Sequence, residues 1–232
     1  MKYYIFHGSI DNKVVGKYPQ SEEVKVYGNL HELPLNQPIK EDKLIMQEPI
    51  LLKKAKLTSY LDITAILRNR YMVINDNLMN FLAKFAISEY TKWPIKIHQA
   101  DNVISNYKLF HISYPSDEMI VDYKNSEFLV GKLGDWRDPS IRKPVKVDSY
   151  AGYLNLRNEL RNRSDNSEIR CNKLIIDFTK TDFDLLRLAN VPFGARYYIS
   201  EKLKDAIEKE GFTGFDFKEI EYDNKNIYPI WE

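Results

Sequence analysis

Cys171 is the only cysteine in 232 residues, so no intramolecular disulfide can form and no multi-cysteine metal centre is available. An excess of charge is missing as well: 34 Lys and Arg stand against 33 Asp and Glu, a net charge of +1. Proteins that hold nucleic acid or anionic membrane through their overall field carry a basic excess, so any charged partner must be met locally. Long apolar runs are absent too. Charged residues interrupt each one well short of the ~18–20 residues that span a bilayer. The opening Met1-Lys2-Tyr3-Tyr4-Ile5-Phe6-His7-Gly8 is too short in apolar residues for the ~7–15 of a secretory signal and reads as a first strand. A lone cysteine suits a reducing compartment. These absences predict a soluble cytoplasmic protein without a membrane partner.

What is present is globular in composition, 44% hydrophobic and 13% aromatic, and long enough for one large core or two small lobes. Pro19, Gly28-Asn29, Pro34, Pro38 and Pro49 punctuate the first fifty residues and predict an irregular, strand-poor lead-in. Residues 50–57 and 60–63 are apolar but ambiguous between strand and helix. Strands are expected at 103–104 and 107–114, around a turn at Ser105-Asn106. A strand and turn follow over 120–128, a loop over 131–139, a helix over 153–163 and a buried strand over 173–178. The expected fold is α+β, with mixed or antiparallel sheets packed with a few helices. Its organisation is two lobes, 1–115 and 116–232, or one continuous domain.

Two segments look like copies of one strand, helix, strand unit. Ile74-Asn75-Asp76-Asn77-Leu78 leads into Phe81, Leu82 and Lys84, and Ile199-Ser200-Glu201-Lys202-Leu203 leads into Ala206, Ile207 and Lys209. The leucines and the lysines are both offset by 125 (203 − 78, 209 − 84). The aromatic strands that follow, from Tyr90 and from Phe212, are offset by 122 (212 − 90), as if the first copy were three residues longer. Duplication and chance recurrence of a common unit both remain open. In the second copy Ser200 can cap the helix, Glu201 and Lys209 complement its dipole, and Leu203 and Ile207 share its apolar face. Gly211 can end the helix in the left-handed conformation. Gly214 supplies a turn, after which Phe215 and Phe217 share one strand face.

Three runs, Asp182-Phe183-Asp184-Leu185-Leu186-Arg187-Leu188, Tyr198 through Glu208, and Thr213-Gly214-Phe215-Asp216-Phe217, with Ile120-Val121-Asp122 and Ser126 upstream, carry a resemblance. They resemble the C-terminal signature of the eleventh immunity-protein family of bacterial polymorphic toxin systems, formerly a domain of unknown function. The resemblance covers mainly residues 120–220. It implies a protein that binds a cognate toxin, encoded by an adjacent gene, and blocks it by stoichiometric occlusion. No catalytic residues come with it, and Ser200, Glu201, Leu203, Gly211, Gly214 and Phe215 form a structural signature.

Chemistry-bearing patterns are sparse. His7, His31, His98 and His111 lack the spacing of a helical zinc pair. Cys171 has Arg170 and Lys173 beside it, which can lower a thiol pKa, but it reads better as a small residue at a strand start. Asp182 and Asp184 can share a cation or shape a turn; the turn is the simpler reading. Neither Gly131 with Gly134 nor Gly211 with Gly214 has phosphate-loop spacing. No catalytic, cofactor or metal residue is therefore assigned, and the chain is expected not to be an enzyme. The alternatives are an enzyme with an unfamiliar site, or a nucleic-acid module using Lys53, Lys54 and Lys56 or Arg157, Arg161 and Arg163 beside Tyr150 and Tyr153. Glu159 and Asp165 dilute that second patch. For a protein partner, Trp136, Arg137 and Asp138 in the glycine-flanked loop and Tyr228 and Trp231 in the tail are the candidate anchors.

Overall fold

A computed structural model describes residues 1–27, 46–63, 71–113, 116–132, 141–189, 191, 196–223 and 225–231. The strands are β1 (Tyr3–Gly8), β2 (Ser21–Tyr27), β3 (Met46–Leu51), β4 (Tyr60–Leu61), β5 (Met72–Asn75), β6 (Tyr90–Gln99), β7 (Asn102–Ile112), β8 (Glu127–Lys132), β9 (Lys143–Val145), β10 (Ser167–Asp177), β11 (Leu185–Leu188), β12 (Arg196–Ser200), β13 (Phe215–Glu219) and β14 (Ile227–Ile230). The helices are α1 (Asn12–Val15), α2 (Asp76–Leu82), α3 (Asp117–Ile120), α4 (Tyr150–Arg161), α5 (Glu201–Glu210) and α6 (Ile220–Asp223). A central antiparallel sheet has the order β11-β12-β1-β13. The other two sheets are mixed: β2-β3-β6-β7-β5-β4, with β3 parallel to β6, and β14-β10-β8-β9, with β14 parallel to β10. This is the expected α+β class.

The two strand, helix, strand units recur in strand order and in pairing register. Strands β4-β5-β7-β6 and β11-β12-β1-β13 follow one order with one antiparallel sense. Tyr60 pairs with Ile74 and Leu185 with Ile199, both offset by 125 (185 − 60, 199 − 74). Tyr90 faces Ile112, and Phe215 faces Gly8. Hence the returning strands also stand 125 apart (215 − 90), not 122. Phe212, Thr213 and Gly214 are the turn, so the two copies are of equal length here. Side-chain bonds repeat as well. Tyr107 Oη donates to the Thr58 carbonyl at 2.7 Å, and Tyr3 Oη donates to the Phe183 carbonyl at 2.8 Å. Asn75 caps α2 and Ser200 caps α5, each accepting from a first-turn leucine amide at 2.9 and 3.2 Å.

The strand between β5 and β6 is β7, but the strand between β12 and β13 is β1, from the opposite end of the chain. Taken as halves of 1–100 and 101–232, each half begins with the strand that completes the other half's sheet. Phe6 in β1 stands where Phe110 stands in β7, and His7 where His111 stands, an offset of 104 (110 − 6, 111 − 7). The offset is 105 at α1 and α3 (117 − 12) and 125 from β3 and β10 onward. The intervening step of 20 reflects β9 and α4, which have no described counterpart in the first half. A division at 115/116 would separate β1 from both of its hydrogen-bonded neighbours.

Alternation on β1 then builds two cores. Tyr3 and Ile5 face a core shared with β8, β10 and α4, while Tyr4 and Phe6 face one shared with α2, α5 and the six-stranded sheet. Burying Tyr3, Ile5 and Phe6 contributes roughly 1.5–3 kcal/mol for each side chain. A third core, around Trp93, Ile95, Ile97 and Leu109, lies on the far face of the six-stranded sheet.

The first fifty residues are richer in strand than their prolines and glycine predict, because β1, β2 and β3 lie there; Pro49 is accommodated within β3, opposite Val24. Strand β7 also runs unbroken through Ser105-Asn106, and the reversal comes earlier, where Ala100 takes a φ of 50°. The α5 cassette matches its sequence. Leu203 and Ile207 are buried, Gly211 is left-handed at φ 72°, and Phe212 packs 5.1 Å from Phe81. Gly214, at φ 102°, lies so near β4 that a Cβ would meet the Tyr60 carbonyl at 2.0 Å; at Gly211 it would meet nothing within 4 Å.

Gly211→Ala is therefore expected to cost about 1 kcal/mol, the price of left-handed backbone alone. Gly214→Ala adds a backbone clash and is expected to cost about 3 kcal/mol or more, with urea unfolding reading both. Tyr3→Phe and Tyr107→Phe are expected to lose about 1 kcal/mol each, the worth of one hydrogen bond; a loss from only one would show the two bonds to be energetically unlike.

Candidate partner-binding face

Two anchors expected together in the tail are separated by the register of β14. Leu174 pairs with Ile227 and Ile175 with Tyr228, so successive residues alternate between the core and the outer face of the sheet. Tyr228 and Ile230 point outward and are 49% and 42% exposed. Trp231 turns inward. Its ring stacks 5.1 Å from Phe178 and lies 6.4 Å from Tyr3, so it covers the core. Trp136, Arg137 and Asp138 lie outside the described residues.

At the β14 edge the outer face carries an apolar strip of Tyr228, Ile230 and Ile175, with Ile175 paired to Tyr228; further along the same face Leu129 on β8 pairs with Pro144 on β9 on one side and Arg170 on the other. Ile175 and Leu129 are half-buried, and Pro144 is exposed. Charged residues around this strip are engaged with neighbours. Arg170 pairs with Glu168 at 3.0 Å, Lys180 with Asp177 at 3.1 Å, and Asn172 donates to Glu127 at 3.1 Å. Lys173 Nζ sits 5.3 Å above the Tyr228 ring, an attraction of about 0.5–1 kcal/mol at an exposed site. A groove of about 570 Å³ opens beside the strip along β8 and β9, rimmed by Lys124 and Lys146.

Comparison of the halves isolates what is particular to this face. Glu48 and Ile50 on β3 occupy the positions of Lys173 and Ile175 on β10 (173 − 48 = 125), and Ile50 pairs with His98 as Ile175 pairs with Tyr228. In the first half His98 Nε2 donates to Glu48 at 2.6 Å, with Lys25 Nζ at 3.5 Å from Nδ1. A closed polar contact there is replaced here by an exposed aromatic ring. Strand β14 is also a sheet edge. Leu174 N donates to the Asn226 carbonyl, which sends the Tyr228 backbone groups toward β10 and turns Pro229 to the open side. A proline there removes a donor from the edge, so the face offers side chains rather than a strand template.

The remaining candidates take structural places. Asp184 is 2% exposed and accepts from Ser200 Oγ at 2.7 Å, the Ala86 amide at 3.2 Å and Lys202 Nζ at 3.1 Å. Asp182 is exposed and stands apart from it. His7 and His111 hold equivalent places in the two exchanged strands, and His31 lies outside the described residues. Gly131 lies within β8, while Gly134 lies outside the described residues. Lys53, Lys54 and Lys56 are exposed, and Lys56 Nζ donates to the Lys13 carbonyl. On α4, Tyr153 is in the core, Arg157 stacks over its ring at 5.8 Å and Arg161 is exposed, while Arg163, just past the helix, is paired with Glu159. Among the described residues no helix is long and apolar enough to cross a membrane.

Cys171 faces the core, and burial pushes its thiol up to about 12 despite Arg170 and Lys173 alongside. The group stays a neutral thiol through the physiological range, where only the thiolate is nucleophilic. Labelling by a disulfide reagent at pH 8 is expected to be at least about a hundredfold slower than for a free peptide thiol and to become fast in 8 M urea; equal rates in both would place the thiol at the surface. Comparison of the whole chain with protein-family models and with curated proteins gives no match.

Proposed function

We propose that this chain is an immunity-type inhibitor that binds a cognate toxin, encoded by an adjacent gene, in a stoichiometric complex and blocks it by occlusion. The observation that carries the reading is the outer face of β14-β10-β8-β9. There Tyr228, Ile230 and Ile175 form an apolar strip at the sheet edge, with the paired Leu129 and Pro144 further along the same face, and the nearby charges Arg170 and Asp177 are already engaged with neighbours. Interfaces draw their energy from a few aromatic and aliphatic anchors inside a polar rim that excludes water, and an apolar strip left open to solvent is a cost that a partner removes. The family resemblance supplies only the class of partner, a cognate toxin. Its signature residues Ser200, Leu203, Gly211, Gly214 and Phe215 serve the fold, which leaves the partner contact to a surface outside the signature.

The test is co-expression with the product of the neighbouring upstream gene, read by rescue of growth and by a one-to-one complex on gel filtration. Tyr228→Ala with Ile230→Ala is expected to weaken that complex by about 2 kcal/mol or more, roughly 30-fold, with the melting temperature unchanged. Unaltered affinity in the double variant would remove the strip from the interface. Rescue without any complex would instead indicate an enzyme acting on the toxin or its target.

A further inference from the structure

Charge is shared unevenly between the two halves. In the core, Arg187 on β11 is 2% exposed and donates to the Ile112 carbonyl at 3.1 Å, at the position that Asp62 holds in the first half (187 − 62 = 125). At the surface the difference is larger. Residues 10–18, which follow β1 and include α1, meet residues 52–57, which join β3 to β4. The Lys56 amide donates to the Val15 carbonyl at 2.8 Å, Lys56 Nζ donates to the Lys13 carbonyl at 2.7 Å, and a Cβ on Gly16 would meet the Lys54 carbonyl at 2.3 Å. These contacts gather Lys13, Lys17, Lys53, Lys54 and Lys56, all exposed. The one carboxylate in the two segments, Asp11, is occupied as the cap of α1, accepting from the Lys13 amide at 2.8 Å. None of the five ammonium groups forms an ion pair among the described residues. Apolar side chains stand open in the same segments: Ile10 is 61% exposed, Leu57 49% and Tyr18 41%.

The repeated frame does not call for these residues. At the offset of 105 Lys13 and Lys17 correspond to Glu118 and Asp122, and at the offset of 125 Lys53, Lys54 and Lys56 correspond to Phe178, Thr179 and Thr181. Leu57 corresponds to Asp182 (182 − 57 = 125). The second half therefore keeps the same backbone course with no cation at any of the five positions. Overall balance conceals the cluster, because the two segments carry +4 (5 − 1) within a net charge of +1, leaving −3 on the rest of the chain. Like charges held together repel one another, and an anionic surface removes that repulsion.

We propose that this pair of loops docks peripherally on a membrane surface that carries anionic lipid. The lysines meet the headgroups, and Ile10, Leu57 and Tyr18 enter the boundary between headgroups and acyl chains. Lysine is a compact charge on a flexible stem, suited to mobile headgroups, whereas the rigid fork of arginine, which recognises nucleic-acid phosphates and guanine edges, is absent from both segments. Exposed aliphatic side chains gain by entering a membrane interface and offer no ring on which a base can stack. Tyrosine, with an apolar body and a polar tip, is a residue of that interface. Such docking needs no spanning helix, and it is separate from the Tyr228 strip proposed for the toxin.

The full chain is sedimented with vesicles of phosphatidylcholine alone and with vesicles containing roughly 30 mol% phosphatidylserine. Binding is expected only to the second kind, and it should weaken as salt rises from about 0.05 to about 0.5 M. Each lysine near an anionic surface strengthens binding about fivefold. Lys53→Gln with Lys54→Gln should therefore bind about 25-fold more weakly, with the melting temperature unchanged because both side chains are exposed. Leu57→Ser should bind roughly fivefold more weakly through the lost apolar contact. A DNA duplex at the same salt is the control for the rival polyanion and should not be retained. No binding to either vesicle, equal binding to both, unchanged affinity in the double lysine variant or in Leu57→Ser, or retention of DNA in place of vesicles would each overturn the proposal.

Discussion

The middle of the central sheet is made by the first eight residues of the chain, and the arrangement of both halves depends on that exchange. Strand β1 lies between β12 and β13 and has hydrogen-bonded neighbours on both sides. Strand β7 does the same between β5 and β6. A sheet with its centre strand withdrawn exposes two rows of unpaired amides and carbonyls, a cost comparable to losing those hydrogen bonds outright. Neither half can complete its own sheet in this structure. The cores follow: with β1 in the middle, Tyr3 and Ile5 close one core while Phe6 joins another with α2 and α5.

Within that frame the repeated bonds mark what both halves need. The paired tyrosine hydroxyls, the capped helix starts and the turn that lays Gly214 against β4 recur or interlock because each fixes an end of a strand. Departures from the repeat stand out against it. Tyr228 and Lys173 replace a His98–Glu48 contact, Arg187 and Tyr197 replace Asp62 and Met72, and β9 and α4 have no described counterpart in the first half. An exposed ring and a buried cation both work against folding energetics, and both occur where the two halves differ.

Much of the local structure is legible in the residues. Ser200, Glu201, Leu203, Gly211 and Phe212 specify a helix start, a buried face and a stop through contacts within a dozen positions, and the folded chain keeps all of them. The likeness of the two units is also legible, although counting from Phe212 instead of Phe215 gives the wrong offset. Aromatic residues on both sides of Gly214 look alike in sequence, and only pairing with Gly8 identifies the first residue of the strand. Among the anchors, Tyr228 and Trp231 cannot be told apart by type. One faces solvent and the other the core because the register of β14 on β10 decides it.

By itself, the sequence determined the α+β class, the helix caps, the left-handed helix stop and the repeated unit, since each is fixed by short-range sterics, hydrogen bonding and periodicity. Tertiary structure alone decided the exchange of β1 and β7, the separation of Tyr228 from Trp231, and the isolation of Arg187 in a core. Those features depend on which strands pair across more than a hundred residues. A register shift of one residue reverses every side chain on a strand, and no local pattern carries that information.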